Sequence, residues 1–194
     1  RDHYESTFLQ GPYFDAADPD CLSLCMHVSP GDFTWGNTAS SCVAILPATP
    51  EELPVFWWTP GPPCNGCYVP FFVQGSRLPA SVTRAGTAGK KIAPPPEAPI
   101  DTFAASSFWW LFRQLMDRVK GDPVGARPGY YPARNQLVRE RFDPLEQQFA
   151  EEVQRIQHRY RATGDSQVLD EFMEASVQQV VVALQDLLQD IETL

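Results

Sequence analysis

The chain has 194 residues, 43% of them apolar and 20% charged, and carries a formal net charge of −9. That is apolar material enough for one sizeable core, while the acidic balance repels nucleic acid. No apolar run approaches the roughly 20 residues of a membrane span, and no Gly-rich phosphate loop or basic stripe is present.

The first residues, Arg1-Asp2-His3-Tyr4-Glu5, are polar and do not read as a signal peptide. With no initiating Met, the chain reads as cut by processing or truncation. Residues 1–100 hold most of the 19 prolines and are rich in Gly, Thr, Ser and aromatics. Short apolar runs separated by turn residues predict strands there. Leu22 to Val28 is one, Ser40 to Leu46 ("SSCVAIL") a second, and Pro54 to Thr59 ("PVFWWT") a third. The linker "PATPEEL" between the last two is about hairpin length. Apolar side chains at consecutive positions predict cover on both faces of these strands. Gly61 to Phe72, "GPPCNGCYVPFF", reads as a proline-braced loop. Residues 86–100 read as a loop too, because three successive prolines forbid helix and central strand.

Residues 101–194 read as helical. Phe108, Phe112, Leu115 and Val119 recur at helical spacing. Val138, Phe142, Leu145, Phe149, Val153, Ile156 and Tyr160 form a longer stripe, and Phe172, Ser176, Val180, Leu184, Leu187 and Ile191 a third, with one polar member. Each is one core-facing side, closer to a 3.6 than a 3.5 period, which favours packing over a coiled-coil partner surface. Gly164 followed by Asp165 and Ser166 reads as a helix stop and the next helix's cap; Gly121-Asp122-Pro123 ends the first. Strands followed by covering helices make a single α+β domain, with a strand-rich part over 1–100 and a helical layer over 101–194.

Five cysteines, Cys21, Cys25, Cys42, Cys64 and Cys67, are an odd number and point to a reducing, cytoplasmic setting. Cys21, Cys25, Cys64 and Cys67 raise a four-thiolate zinc site. On a strand, however, positions four apart lie about 13 Å from each other, too far to share one ion. A redox Cys-x-x-Cys opens a helix, whose dipole lowers the thiol pKa. The Tyr-Val-Pro-Phe-Phe after Cys67 opens none, so two small residues in a tight loop is the plainer reading. His3, His27 and His158 are the only histidines. His158 falls on the polar side of a helix. His27 admits a Cys-His or Ser-His pair, but no nucleophile elbow is present, and a hydrogen-bonded structural role fits the sequence better. The turn "TWGNTASS" offers Asn37, Thr38, Ser40 and Ser41 beside aromatics, which suits a pocket lining or a capped bend.

The order of motifs carries more than any one of them. "LCMHVSPG", "TWGNTASSCVAILP", "LPVFWWTPGPPCNGCYVPFF" and "SSFWWLFRQLMDRV" follow one another. In this order they resemble the C-terminal part of the secernin and dipeptidase-type cysteine N-terminal-nucleophile (Ntn) hydrolases, over roughly residues 20–120. The resemblance implies a four-layer αββα sandwich, with antiparallel strands in the N-terminal half and long amphipathic helices in the C-terminal half. It implies hydrolysis of a linear amide or peptide bond through an acyl-enzyme, with no cofactor and no metal. The family's nucleophile is a cysteine exposed by autoprocessing at the chain's start, its own α-amino group serving as base.

Since this chain begins with Arg1, the nucleophile is expected outside it, on an N-terminal half or a companion chain, in a heterodimer or a higher homo-oligomer. The expected substrate is a small amide or peptide, with neither nucleic acid nor membrane as partner. In that frame Asn37 contacts the substrate carbonyl or an oxyanion site, and His27, Trp35, Thr38, Pro63, Cys64 and Asn65 bind substrate. Several relatives carry Arg and Gln where Trp35 and Asn37 stand, which puts a charge-based role in doubt and favours a more apolar substrate. Two alternatives stand beside the hydrolase: a catalytically silent, secernin-like scaffold or regulatory protein, and a zinc-binding interaction domain.

Overall fold

A computed structural model describes residues 38–49, 52–83, 107–120 and 130–192. Three strands, β1 (Ser40–Ile45), β2 (Val55–Pro60) and β3 (Val69–Phe72), come first. A single turn, α1 (Ala80–Thr83), and three longer helices, α2 (Phe108–Lys120), α3 (Tyr130–Thr163) and α4 (Gln167–Glu192), follow. The chain is thus mixed α+β, with the sheet in its N-terminal part and the long helices C-terminal. The predicted strand at Leu22–Val28, the loop at 86–100 and the helix stop at Gly121-Asp122-Pro123 lie outside the described residues.

The sheet is antiparallel in the order β1-β2-β3. Ser40 pairs with Pro60 and Ile45 with Val55; Val55 in turn pairs with Phe72 and Trp58 with Val69. The β1–β2 connection is the hairpin expected of "PATPEEL". β3 was not expected, because Pro70 in "YVPFF" reads as a breaker. Its place in the ladder explains the tolerance. Tyr68, Pro70 and Phe72 share the strand's outer edge, away from β2. Tyr68 N–H donates to Glu146 Oε1 of α3 at 2.9 Å, and Phe72 N–H to the sulfur of Met173 of α4 at 3.3 Å. Pro70 has no N–H to satisfy, so proline is harmless there.

Trp57 and Trp58 point to opposite faces, as neighbours on a strand must. Trp58 packs edge-on against Phe71 and lies 6.1 Å from Phe108 of α2. On the other face, Phe72 lies 6.1 Å from Phe172 of α4. The described residues therefore cover β2 and β3 but leave β1 open. Val43 and Ile45 are about half exposed and Leu46 is 77% exposed, against the expectation of cover on both faces.

The helical stripes are the core. Phe108, Phe112, Leu115 and Val119 of α2 are all buried, as are Val138, Phe142, Phe149 and Val153 of α3. The stripe of α4 is buried throughout, Ser176 included. Leu145, Ile156 and Tyr160 are half-buried at the core's margin. α3 and α4 form an antiparallel hairpin, tied by Arg141–Asp190 at 2.8 Å and Gln148–Gln179 at 3.3 Å. Gly164 makes the turn at φ 68°, its N–H on the Tyr160 carbonyl at 2.7 Å. Asp165 Oδ1 then accepts the Gln167 N–H at 2.9 Å, which caps α4. Pro144 sits inside α3 as an exposed residue, lacking the N–H that would otherwise bond the Glu140 carbonyl.

A buried carboxylate anchors the turn after β3. Asp170, only 5% exposed in the first turn of α4, accepts the Ser76 and Arg77 backbone N–H groups and the Ser76 hydroxyl. Burial alone raises its pKa. The Ser76 hydroxyl, the two N–H groups and the nearby Arg77 charge outweigh that and hold it below the ordinary carboxylate value. Because the folded pKa is the lower one, Asp170 stabilises the fold above about pH 4, and that contribution fades as pH falls through the folded value. The Asp170→Asn variant is predicted to lose about 1–3 kcal/mol at neutral pH. It is also predicted to show a flatter loss of stability below pH 4 than the parent, measured by urea unfolding across the acid range.

Candidate functional site

Two segments far apart in sequence meet at one end of the sheet. Ala39, just before β1, offers its carbonyl to the Gly61 N–H and to the Trp109 indole N–H, both at 2.9 Å. Gly61 follows β2 at φ 71°, a left-handed conformation that glycine adopts without strain. Trp109 lies at the start of α2, 70 positions from Ala39. One acceptor thus ties the entry to β1, the exit of β2 and the first turn of α2.

Beside this junction is a cavity of about 70 Å³ lined by Thr38, Ala39, Gly61, Trp109, Phe112, Arg113 and Met116. Phe112 and Met116 are buried and form its apolar floor. Arg113 stands at the margin, its guanidinium paired with the Asp117 carboxylate one helical turn on at 3.1 Å. A second, larger groove of about 470 Å³ runs between α3 and α4, lined by Leu137, Pro144, Leu145, Ala183 and Leu187. The Arg141–Asp190 pair lies at it, and none of the expected catalytic or substrate-binding residues lines it.

Of the residues singled out, Thr38 lines the first cavity. His27, Trp35 and Asn37 lie outside the described residues. Pro63, Cys64 and Asn65 do not line it: of their loop, Gly61 takes that place. The loop folds inward instead. Asn65 N–H bonds the Pro62 carbonyl at 3.1 Å, and the Cys64 carbonyl accepts from Asn135 Nδ2 of α3 at 3.1 Å. Asn135 Nδ2 also reaches Asn65 Oδ1 at 3.1 Å. Cys64 and Cys67 are fully buried thiols, and Asn65 is 2% exposed. Gly66 is required here, because a Cβ on it would fall on the side chain of buried Thr59. Among the described residues no cluster of three or more metal-ligating side chains is present.

The sequence had signals for what it did not assign. Trp109 is an aromatic residue off the Phe108–Phe112–Leu115 stripe, so it has business other than the helix core. Asn135 extends the stripe of α3 three residues upstream of Val138, a polar group where an apolar one belongs. No protein-family model, curated protein or solved structure matches the chain.

The Asn135–Asn65 pair is fully buried, and among the described residues Asn65 Nδ2 and Asn135 Oδ1 have no hydrogen-bond partner. Removing Asn135 takes a hydrogen bond from both the Cys64 carbonyl and Asn65 Oδ1. Asn135→Ala is therefore predicted to cost about 2–4 kcal/mol, combining lost hydrogen bonds with a cavity. Thermal unfolding checks it, and faster alkylation of Cys64 and Cys67 is expected alongside.

Proposed function

We propose that this chain is the non-nucleophile, C-terminal portion of a cysteine Ntn hydrolase that cleaves a linear amide or peptide bond through an acyl-enzyme. One observation carries the reading. Three of the motifs that resemble this family are separate in sequence: the Thr-rich turn, the Gly-Pro-Pro-Cys loop and the Trp-Trp helix. Thr38, Gly61 and Trp109, one from each, line a single cavity.

In this reading the three strands belong to one inner sheet of a four-layer αββα sandwich, with α4 against its Phe72 face and α2 reaching its Trp58 face. Val43 and Ile45, which share one face of β1 and are about half exposed, are then where the remainder of the sandwich packs. The nucleophilic cysteine with its free α-amino group comes from the N-terminal half or a companion chain. That amine takes the thiol proton, the thiolate attacks the amide carbon, and the amine returns the proton to the leaving nitrogen. Water then hydrolyses the thioester. Cys64 and Cys67 are sealed from substrate and take no part.

Intact mass spectrometry of the native assembly is predicted to show a companion polypeptide beginning with Cys. The assembly is predicted to cleave members of a panel of short amides, and this chain alone none. A native assembly without an N-terminal cysteine removes the hydrolase. An N-terminal cysteine with no cleavage across the panel leaves the silent, secernin-like scaffold in its place.

A further inference from the structure

The cavity at Thr38, Gly61 and Trp109 has a chemistry of its own. Its polar groups are already engaged. The Ala39 carbonyl accepts two hydrogen bonds, the Trp109 indole N–H donates one of them, and the Arg113 guanidinium is held two-pronged by Asp117. Thr38, likewise, has a partner. What faces the cavity is carbon: the Trp109 ring, Phe112, Met116 and the Gly61 and Ala39 backbone. An entering polar or charged group would be desolvated there without recovering a hydrogen bond, at a cost of several kcal/mol in an apolar setting.

Size narrows the ligand further. An apolar cavity of about 150 Å³ takes benzene, and this one is about 70 Å³. A short aliphatic group of about two to three carbons fits, and a phenyl ring does not. Phe112 and Met116 set that limit from below, and Trp109 closes the side.

We infer that this cavity is a subsite for a short aliphatic group, ethyl to isopropyl in bulk, carried by the amide substrate. The assignment rests on the hydrolase reading for its role and on the cavity alone for its ligand chemistry. Trp109 and Met116 are the residues that set the size of group accepted.

The test reads binding without any chemistry. The chain has three methionines, of which Met116 lines the cavity and Met173 sits in the core beyond it. With ¹³C-methyl methionine, isobutyramide is expected to shift the Met116 methyl saturably and leave Met173 in place. Benzamide is expected to bind at least tenfold more weakly. Met116→Phe, which fills the cavity, is expected to abolish isobutyramide binding while the Met173 signal reports an intact core. No saturable shift at Met116, equal shifts at every methionine, or benzamide binding as tightly as isobutyramide each overturns the subsite. If isobutyramide binds but the native assembly cleaves no amide, the hydrolase reading falls and the subsite stands. If the assembly cleaves amides and Met116 stays silent, the subsite alone falls.

Discussion

The outer edge of β3 is the constraint on which the described fold depends. An edge strand exposes backbone donors that need partners, and a buried one cannot find them in water. Here α3 supplies the Glu146 carboxylate to Tyr68 and α4 supplies the Met173 sulfur to Phe72, with Pro70 removing the donor between them. Asp170 of α4 continues the line by holding Ser76 and Arg77. The helical hairpin is therefore more than a cover for apolar side chains: its polar groups complete the backbone of the sheet. That fixes where α3 and α4 lie, and through α2 it fixes the junction at Ala39, Gly61 and Trp109.

Much of this architecture was legible. The three stripes fell on the buried sides of the helices, with Leu145, Ile156 and Tyr160 at the margin, because a 3.6 period over many turns is hard to mistake. Gly164-Asp165-Ser166 marked the turn between α3 and α4, since glycine supplies the left-handed φ and aspartate the cap. β3 was not legible. Val69–Phe72 has no alternation because all four residues are buried, and Pro70 argues against a strand unless its edge position is known. Pro144 also left no mark on the reading of α3, because it sits on the outer face and the stripe runs past it.

The site was legible in its motifs and not in its lining. Thr38 and the proline loop were picked out, but spacing cannot say which way a buried loop turns. Asn135, from a helix 70 residues on, draws Asn65 and the Cys64 carbonyl inward, and Gly61 is left at the opening. The Cys-x-x-Cys pair shows the same limit. Its spacing raised redox and metal chemistry, while its place against α3 gives both thiols a packing role.

The most direct test of the functional account is where an active-site-directed electrophile lands. The native assembly would be treated with a short aliphatic amide analogue bearing a chloromethyl ketone, and the modified peptide identified by mass spectrometry. The account predicts one label, on an N-terminal cysteine of a segment other than residues 38–192. Labelling of Cys42, Cys64 or Cys67 instead would contradict it, because the nucleophile would then belong to the fold described here.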